Sequence, residues 1–144
     1  MATVSYFTNR GRYLLATDNF DGIDFRGALI KAEVVEATGE DYNTLSQFIT
    51  GSNEVDATGY ARVTLSGISV TESDASDNVT VTWSNISWGA LGGASNCAVA
   101  QLVIYKYNAS DASAEAIAVL GGSSLPFTTN GSTVTSSSLQ LTVA

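Results

Sequence analysis

Residues 97–107 read CAVAQLVIYKY, a nearly continuous apolar stretch that decides the fold. Such a stretch is typical of a strand covered on both faces, because both alternating sets of side chains are then buried. Residues 114–122, AEAIAVLGG, are the expected antiparallel partner across the polar turn at 108–113. We therefore expect a sheet with residues 97–107 at its centre.

Further strands are predicted on both sides of this pair. Residues 28–37, ALIKAEVVEA, could be helical, but their Ile and Val content favours a strand. In residues 60–71 the apolar alternation is interrupted at Gly67, which we interpret as a β-bulge or bend. Residues 79–83, VTVTW, place Val79, Val81 and Trp83 on one face, and Asn130-Gly131 predicts a hairpin turn before a terminal strand.

Two short helices are predicted near these strands. In residues 4–16 a strand is followed by a helical turn, which Thr8 or Asn9 would cap. In residues 42–49 apolar side chains recur at helical spacing, with Asp41 as the expected N-cap and Gly51 as the stop.

Together these segments predict a mainly β fold. The expected architecture is an antiparallel β-sandwich, jelly-roll-like, with one or two short helices. We expect residues 1–144 to form a single β-sandwich domain, with residues 1–16 as a candidate interacting arm.

The charge balance argues against two classes of partner. Six Lys and Arg stand against fourteen Asp and Glu, a net charge of −8, and the basic residues are mostly scattered. A phosphate-binding surface needs clustered cations, so we expect no nucleic-acid partner. No segment approaches the ~20 apolar residues of a membrane span, and no signal peptide is evident. The lone Cys97 cannot form an intrachain disulfide and suits a reducing compartment.

The sequence carries no recognisable catalytic or metal-binding pattern. It contains no histidine, which excludes Ser-His-Asp and Cys-His catalysis and the commonest metal ligand. Residues 18–24, DNFDGID, lack the spacing of a calcium loop. A hydrolase that uses two carboxylates stays open, with Glu33 and Glu36 as its candidates. We expect no enzyme activity, no cofactor and no metal.

A set of short motifs lies in order along nearly the whole chain. They are TNRGRYLL at 8–15, IKAEV at 30–34, a helix around Phe48, NEVDATGY at 53–60, VTWSN at 81–85, QLVIYK at 101–106, the Asn130-Gly131 pair and the strand 139–143. In this order the motifs resemble those of a family of small tailed-phage virion structural proteins. Two departures from the family pattern are a glycine-rich insertion at 89–96 and Leu120-Gly121-Gly122 in place of an acidic element.

The resemblance implies a capsid decoration, or cement, protein on the exterior of the virion, made in the host cytoplasm. It would bind the major capsid protein and other copies of itself, as a dimer or trimer. A tail, neck or head-fibre component is one alternative. A carbohydrate- or receptor-binding module that uses Trp88 and Tyr107 is another. From the N-terminal segment and the 86–96 loop, the candidate interface residues are Tyr6, Phe7, Arg10, Arg12, Trp88 and Leu91.

Overall fold

The computed structural model describes residues 4–17, 20, 22–136 and 139–143. Within these residues the chain is mainly β, which confirms the expected fold class, and three short helices accompany the strands. The helices are α1 (Asn9–Ala16), α2 (Glu36–Gly39) and α3 (Leu45–Phe48). The strands are β1 (Tyr6–Phe7), β2 (Phe25–Ile30), β3 (Val63–Thr64), β4 (Ser69–Ser73), β5 (Asn78–Trp83), β6 (Ser87–Trp88), β7 (Ala98–Val99), β8 (Gln101–Lys106), β9 (Glu115–Leu120), β10 (Phe127–Thr128), β11 (Val134–Thr135) and β12 (Leu139–Val143).

A five-stranded antiparallel sheet forms the centre of the fold, in the order β1-β9-β8-β2-β3. Strand β8 is its middle strand, and its neighbour β9 follows it directly in the chain. The predictions of a central strand and its antiparallel partner are therefore confirmed. The other described strands form a three-stranded sheet, β12-β5-β4, and the pairs β10-β7 and β11-β6.

Both faces of the five-stranded sheet are covered. On one face, Ile104 of β8 packs in a cluster with Trp83 of β5 and Leu139 of β12, so sheet lies against sheet. On the opposite face, Val103 of β8 packs with Phe48 of α3. Successive side chains of a strand point to opposite faces, so β8 contributes to both clusters, and this explains its continuous apolar sequence.

At Gly67 the chain crosses from one sheet to another. Strand β3 pairs with β2 in the five-stranded sheet, whereas β4 pairs with β5 in the three-stranded sheet. Gly67 has a φ of +60°, and a Cβ there would overlap the Ser84 hydroxyl. The bend predicted at Gly67 is confirmed, and it separates two strands where the sequence predicted one continuous pattern.

The strand predicted at 28–37 differs from the observed one. Strand β2 begins at Phe25, ends at Ile30, and is followed by a loop and then by α2. After Ile30 the backbone amides of Lys31 and Ala32 donate to Asn53 instead of to a neighbouring strand. The prediction of a strand is therefore wrong beyond Ile30, because the backbone carbonyl and the side-chain oxygen of Asn53 take the place of a strand partner.

Helix α3 confirms the predicted helix in a shorter form. Its N-cap is Thr44 and not Asp41, and Gln47 completes a capping box. The Gln47 Oε1 accepts from the Thr44 backbone N–H at 3.1 Å. This reciprocal arrangement satisfies amide groups at the start of a helix, and it favours Thr44 over Asp41. Gly51, with a φ of +68°, lies in the turn after the helix.

The Asn130-Gly131 turn is present, but it does not form a hairpin. Asn130 Oδ1 accepts from the Ser132 amide at 3.0 Å, and Gly131 has a φ of +90°. The strands on either side, however, pair with β7 and with β6 and not with each other. The hairpin prediction is wrong because more distant segments supply the strand partners.

The N-terminal segment is part of the fold from Tyr6 onward. Strand β1 pairs with β9, and Thr8 caps α1 by accepting from the Gly11 amide at 3.0 Å. The Thr8 hydroxyl also donates to the Ala116 carbonyl at 2.6 Å, so the cap is tied to β9. From Tyr6 onward the candidate interacting arm is therefore packed into the fold, and residues 1–3 lie outside the described residues.

Gln101 holds two loops against the sheet from a fully buried position. Its Oε1 accepts from the Val34 amide at 2.8 Å, and its Nε2 donates to the Val4 carbonyl at 3.1 Å. Substitution Gln101→Leu removes both bonds while keeping a side chain of similar volume. A buried donor or acceptor left without a partner costs about 1–3 kcal/mol.

We expect Gln101→Leu to lower the free energy of unfolding by about 1–3 kcal/mol, measured by urea denaturation at neutral pH. The matched control is Gln140→Leu at an exposed position of β12, where the change should stay within about 0.5 kcal/mol. Equal stability losses in the two variants would contradict the assignment of Gln101 as an internal anchor.

Candidate interaction surface

Four of the six residues predicted at an interface are buried within the chain. Tyr6 and Phe7 are each 2% exposed, Trp88 is 6% exposed and Leu91 is fully buried. The Trp88 indole N–H donates to the Ala61 carbonyl at 2.9 Å, so its polar atom is also satisfied internally. An intermolecular role for these four side chains is therefore wrong, because they belong to the core of the fold.

Arg10 and Arg12 lie on α1 and are partly exposed, as predicted, but their charges are already paired. Arg10 donates to Glu115 at 2.7 Å, which ties α1 to β9. Arg12 lies 3.3 Å from Glu40 and 3.7 Å from Glu36, next to α2. The six residues thus do not form one accessible surface, and the two arginines have an evident role in holding α1.

The three-stranded sheet has a different and more informative surface. Its register places Thr71 of β4 beside Thr80 of β5, and Thr80 beside Thr142 of β12. The neighbouring rung places Ser69, Thr82 and Gln140 side by side. We call the side that carries these residues, together with Ser73 and Asn78, the outer face of the three-stranded sheet. Every one of its eight side chains is polar and uncharged.

The opposite side of the same sheet faces the core. Val81, Trp83 and Leu139 are buried there, and Leu141 and Val143 pack against the same cluster. Since side chains alternate between the two sides of a strand, this apolar set fixes which side of β5 and β12 points outward. The outer face is therefore a direct consequence of how the core is built.

The outer face is ordered by its own hydrogen bonds. The hydroxyls of Thr80 and Thr142 lie 2.9 Å apart across the strands. The Thr82 hydroxyl donates to the Ser69 carbonyl at 3.4 Å. Short hydroxyl side chains lose little conformational entropy when they become ordered, compared with Lys, Arg or Glu. Such a face can be covered by a partner without removing any charge from water.

The sequence signal for this face was present but was not recognised. The alternation in VTVTW at 79–83 identified the inward valines correctly, and the intervening threonines form the outward set. The face also needs β4 and β12, and residues 71 and 142 are far apart in the chain. No single segment of sequence contains it.

The most extensive charge cluster is centred on Arg62. Its guanidinium donates to both oxygens of Glu54, at 2.6 and 2.7 Å, and to both oxygens of Asp111, at 2.7 and 2.9 Å. The Tyr60 hydroxyl also donates to Glu54, at 2.9 Å. These hydrogen bonds lower the pKa of Asp111 below its ordinary value and raise that of Arg62. The cluster joins three separate segments of the chain and is a structural clamp.

The two carboxylates considered for catalysis have partners within the chain. Glu33 accepts from the Val4 amide at 3.1 Å, and Glu36 lies 3.7 Å from the Arg12 guanidinium. Tyr107 is 44% exposed, with the Arg26 guanidinium 3.5 Å above its ring, whereas Trp88 is buried. A sugar platform that needs both aromatic rings at the surface is therefore not formed.

A cavity of about 370 Å³ opens between the five-stranded sheet and the strands β10 to β12. Its floor is apolar, with Leu29, Leu102 and Leu120 from the sheet, and serines at 123, 124 and 136 line its rim. Across the described ranges, no group of three or more His, Cys, Asp or Glu side chains is placed to hold a metal ion. None of the described helices is long and apolar enough to cross a membrane.

The Arg62 clamp makes stability depend on the ionisation of Asp111. Because its pKa is depressed in the folded chain, the stabilisation is complete above the unfolded value of about 3.9 and is lost as the pH falls through the folded value. At pH 7 we expect Asp111→Asn to cost about 1 kcal/mol, the upper end for partly solvated pairs. Urea denaturation should show this cost shrinking as the pH falls and the wild-type carboxyl becomes protonated.

A double-mutant cycle tests the physical cause. In an Arg62→Gln background, Asp111→Asn should have little further effect at pH 7, since the partner of the carboxylate is already absent. A cost for Asp111→Asn that stays constant between pH 7 and pH 2 would contradict the clamp.

The outer face and the clamp are features of this chain's own sequence and packing. No protein-family model, curated protein or solved structure matches this chain.

Proposed function

We propose that this protein is a structural component of a tailed-phage virion, and specifically a capsid decoration protein that binds the exterior of the assembled head and stabilises it. The observation that carries the proposal is the uncharged outer face of the three-stranded sheet. It is a broad polar surface without a single ionisable group, on a chain whose net charge is −8.

This distribution of charge suits a surface that is covered by protein. The cores of protein interfaces are depleted in charged residues, because an unpaired charge removed from water is costly. The chain has only 14% charged residues, against about a quarter in typical soluble domains. The paired ionic groups described above, on α1 and around Arg62, lie on other elements. Covering the outer face therefore avoids the cost of desolvating a charged group.

The packing beneath the outer face also supports its use as a binding surface. The three-stranded sheet packs on the five-stranded sheet through Val81, Trp83 and Leu139, and α3 supports the far side. A face held by a packed core presents its hydroxyls at fixed positions, so little ordering cost is added on binding. The partner follows from the resemblance of the ordered motifs to small tailed-phage virion proteins. It is the major capsid protein on the outside of the head.

A tail, neck or head-fibre component would use the same kind of surface. Copy number separates these roles, since decoration places hundreds of copies on a head and the alternatives place few. A carbohydrate- or receptor-binding module has less support, because Trp88 is in the core and only Tyr107 of the two suspected aromatic residues is exposed.

The proposal predicts that a charge placed on the outer face blocks binding to heads. Thr80 lies at the centre of the face, and Thr80→Lys would place an ammonium group against the partner. Purified heads of the encoding phage, assembled without this protein, should co-sediment with the wild-type chain. We expect Thr80→Lys to weaken that binding at least about tenfold, which corresponds to 1.4 kcal/mol.

The matched control is Thr64→Lys, which adds the same charge at an exposed threonine of β3 in the other sheet. It should bind heads as the wild type does, with both variants folded by circular dichroism. Equal binding by Thr80→Lys and wild type would contradict the outer face as the contact. Failure of the wild-type chain to bind heads at all, or binding to unassembled capsid protein, would contradict decoration itself.

A further inference from the structure

The floor of the cavity between the five-stranded sheet and the strands β10 to β12 is a row of three leucines. Leu29 of β2 lies opposite Leu102 of β8, and Leu102 lies opposite Leu120 of β9. Residues paired directly across antiparallel strands share one face of a sheet. The three side chains therefore form a continuous apolar row across three strands, and all three line the cavity.

The wall contributed by the smaller strands is apolar as well. It includes Phe127 of β10, Val134 of β11 and Leu125 from the loop before β10. These three side chains are half-buried, and they pack against the same core cluster as the leucine row. A molecule in the cavity would therefore contact apolar side chains on two sides and remove their remaining surface from water, which is favourable.

The cavity is large enough to hold a small molecule. Its volume is about 370 Å³. Well-packed protein interiors contain few voids larger than a water molecule, and sites for small ligands have volumes of about 300–1,000 Å³. An apolar cavity of about 150 Å³ holds one benzene molecule. Since this cavity is more than twice that size, a single side chain inserted by a protein partner would leave much of it empty. A ligand of roughly ten to fifteen non-hydrogen atoms would fill it.

The polar groups around the cavity argue against an ionic ligand. None of the described lining residues has an ionisable side chain, although the chain has a net charge of −8. A charged group moved from water into the cavity would meet no opposite charge there, which is costly. At the rim, Ser123 and Ser124 are exposed, and a hydroxyl can both donate to and accept from a neutral polar group.

Two glycines lie between the floor and the rim. Gly121 and Gly122 line the cavity and connect Leu120 of the floor to Ser123 of the rim. A Cβ at Gly122 would meet nothing within 4 Å beyond its chain neighbours, and the φ of Gly122 lies outside the left-handed region. The backbone at Gly122 therefore accepts a side chain, and its absence leaves space open at this position.

We propose that this cavity binds a neutral amphiphile, with an aliphatic or aromatic body on the leucine row and one hydroxyl or carbonyl group at the serine rim. Water on an apolar floor has few hydrogen-bonding partners, so its displacement by an apolar group favours binding. The inference goes beyond binding to a capsid, and it applies to the isolated chain in solution.

The first test is a titration of the full chain, without heads, with the neutral dye N-phenyl-1-naphthylamine, whose fluorescence rises in apolar surroundings. We expect saturable binding and displacement of the dye by 1-decanol. Decanoate has an alkyl chain of the same length and a carboxylate, so it should displace the dye at least about tenfold more weakly at neutral pH. No saturable binding of the dye, or equal displacement by decanoate and 1-decanol, would overturn the proposal.

A matched pair of glycine variants tests the position of the site. Gly122→Leu places a side chain in the open space, and we expect it to raise the dissociation constant of the dye at least about tenfold. The control is Gly89→Leu, at an exposed glycine outside the lining where a Cβ also meets nothing within 4 Å. It should bind the dye as the wild type does, with both variants folded by circular dichroism. Equal affinities of the two variants would contradict this site.

A measurement on the wild-type chain locates the ligand without any substitution. In NMR spectra of leucine methyl groups, saturating 1-decanol should shift the signals of Leu29, Leu102 and Leu120. The internal control is Leu45 of α3, which is buried on the opposite face of the five-stranded sheet and should keep its signals. Shifts of similar size at all four leucines, or none at the three of the floor, would overturn the proposal, whatever the result of head binding.

Discussion

Strand β8 must be buried on both faces, and the rest of the structure depends on this constraint. Its register to β2 and β9 fixes the five-stranded sheet, and its alternating side chains begin two separate core clusters. Phe48 of α3 completes one cluster, and Trp83 and Leu139 of the three-stranded sheet pack into the other. A strand that is covered twice requires a layer on each side, so the three-layer arrangement follows from one segment of eleven residues, 97–107.

The charged groups and the uncharged outer face lie on different elements of this fold. The ionic groups of α1 and of the Arg62 clamp hold separate segments of chain together, and each cation lies within 4 Å of a carboxylate. The outer face of the three-stranded sheet has no such task, because its strands are held by their ladder and by the apolar residues beneath. It therefore carries only uncharged polar side chains, six of them hydroxyls and two, Asn78 and Gln140, amides. Such a face can be covered without desolvating a charge, provided that the partner forms hydrogen bonds with its hydroxyl and amide groups.

Sequence reasoning succeeded where the signal is local. The central strand, its partner, the α1 cap at Thr8 and the bend at Gly67 each depend on a few neighbouring residues. It failed where a distant residue decides the outcome: Asn53 ends β2 after Ile30, and distant strands take the partners of the Asn130-Gly131 turn. The candidate interface failed for a related reason. Trp88 and Leu91 stand in a glycine-rich segment that looks like a loop, yet pairing of β6 with β11 folds that segment into the core. The outer face was missed because three separated strands form it.

The crossing at Gly67 has a mechanical consequence. Between β3 and β4 there are only four residues, and two of them are bonded to the sheets: the Leu65 amide donates to Phe25, and the Ser66 carbonyl accepts from Ser84. A pull applied to β4 therefore has almost no slack to take up before it reaches the five-stranded sheet. Tension at the edge of the small sheet is shared with the largest hydrogen-bonded ladder in the molecule, so the two sheets bear a load as one body.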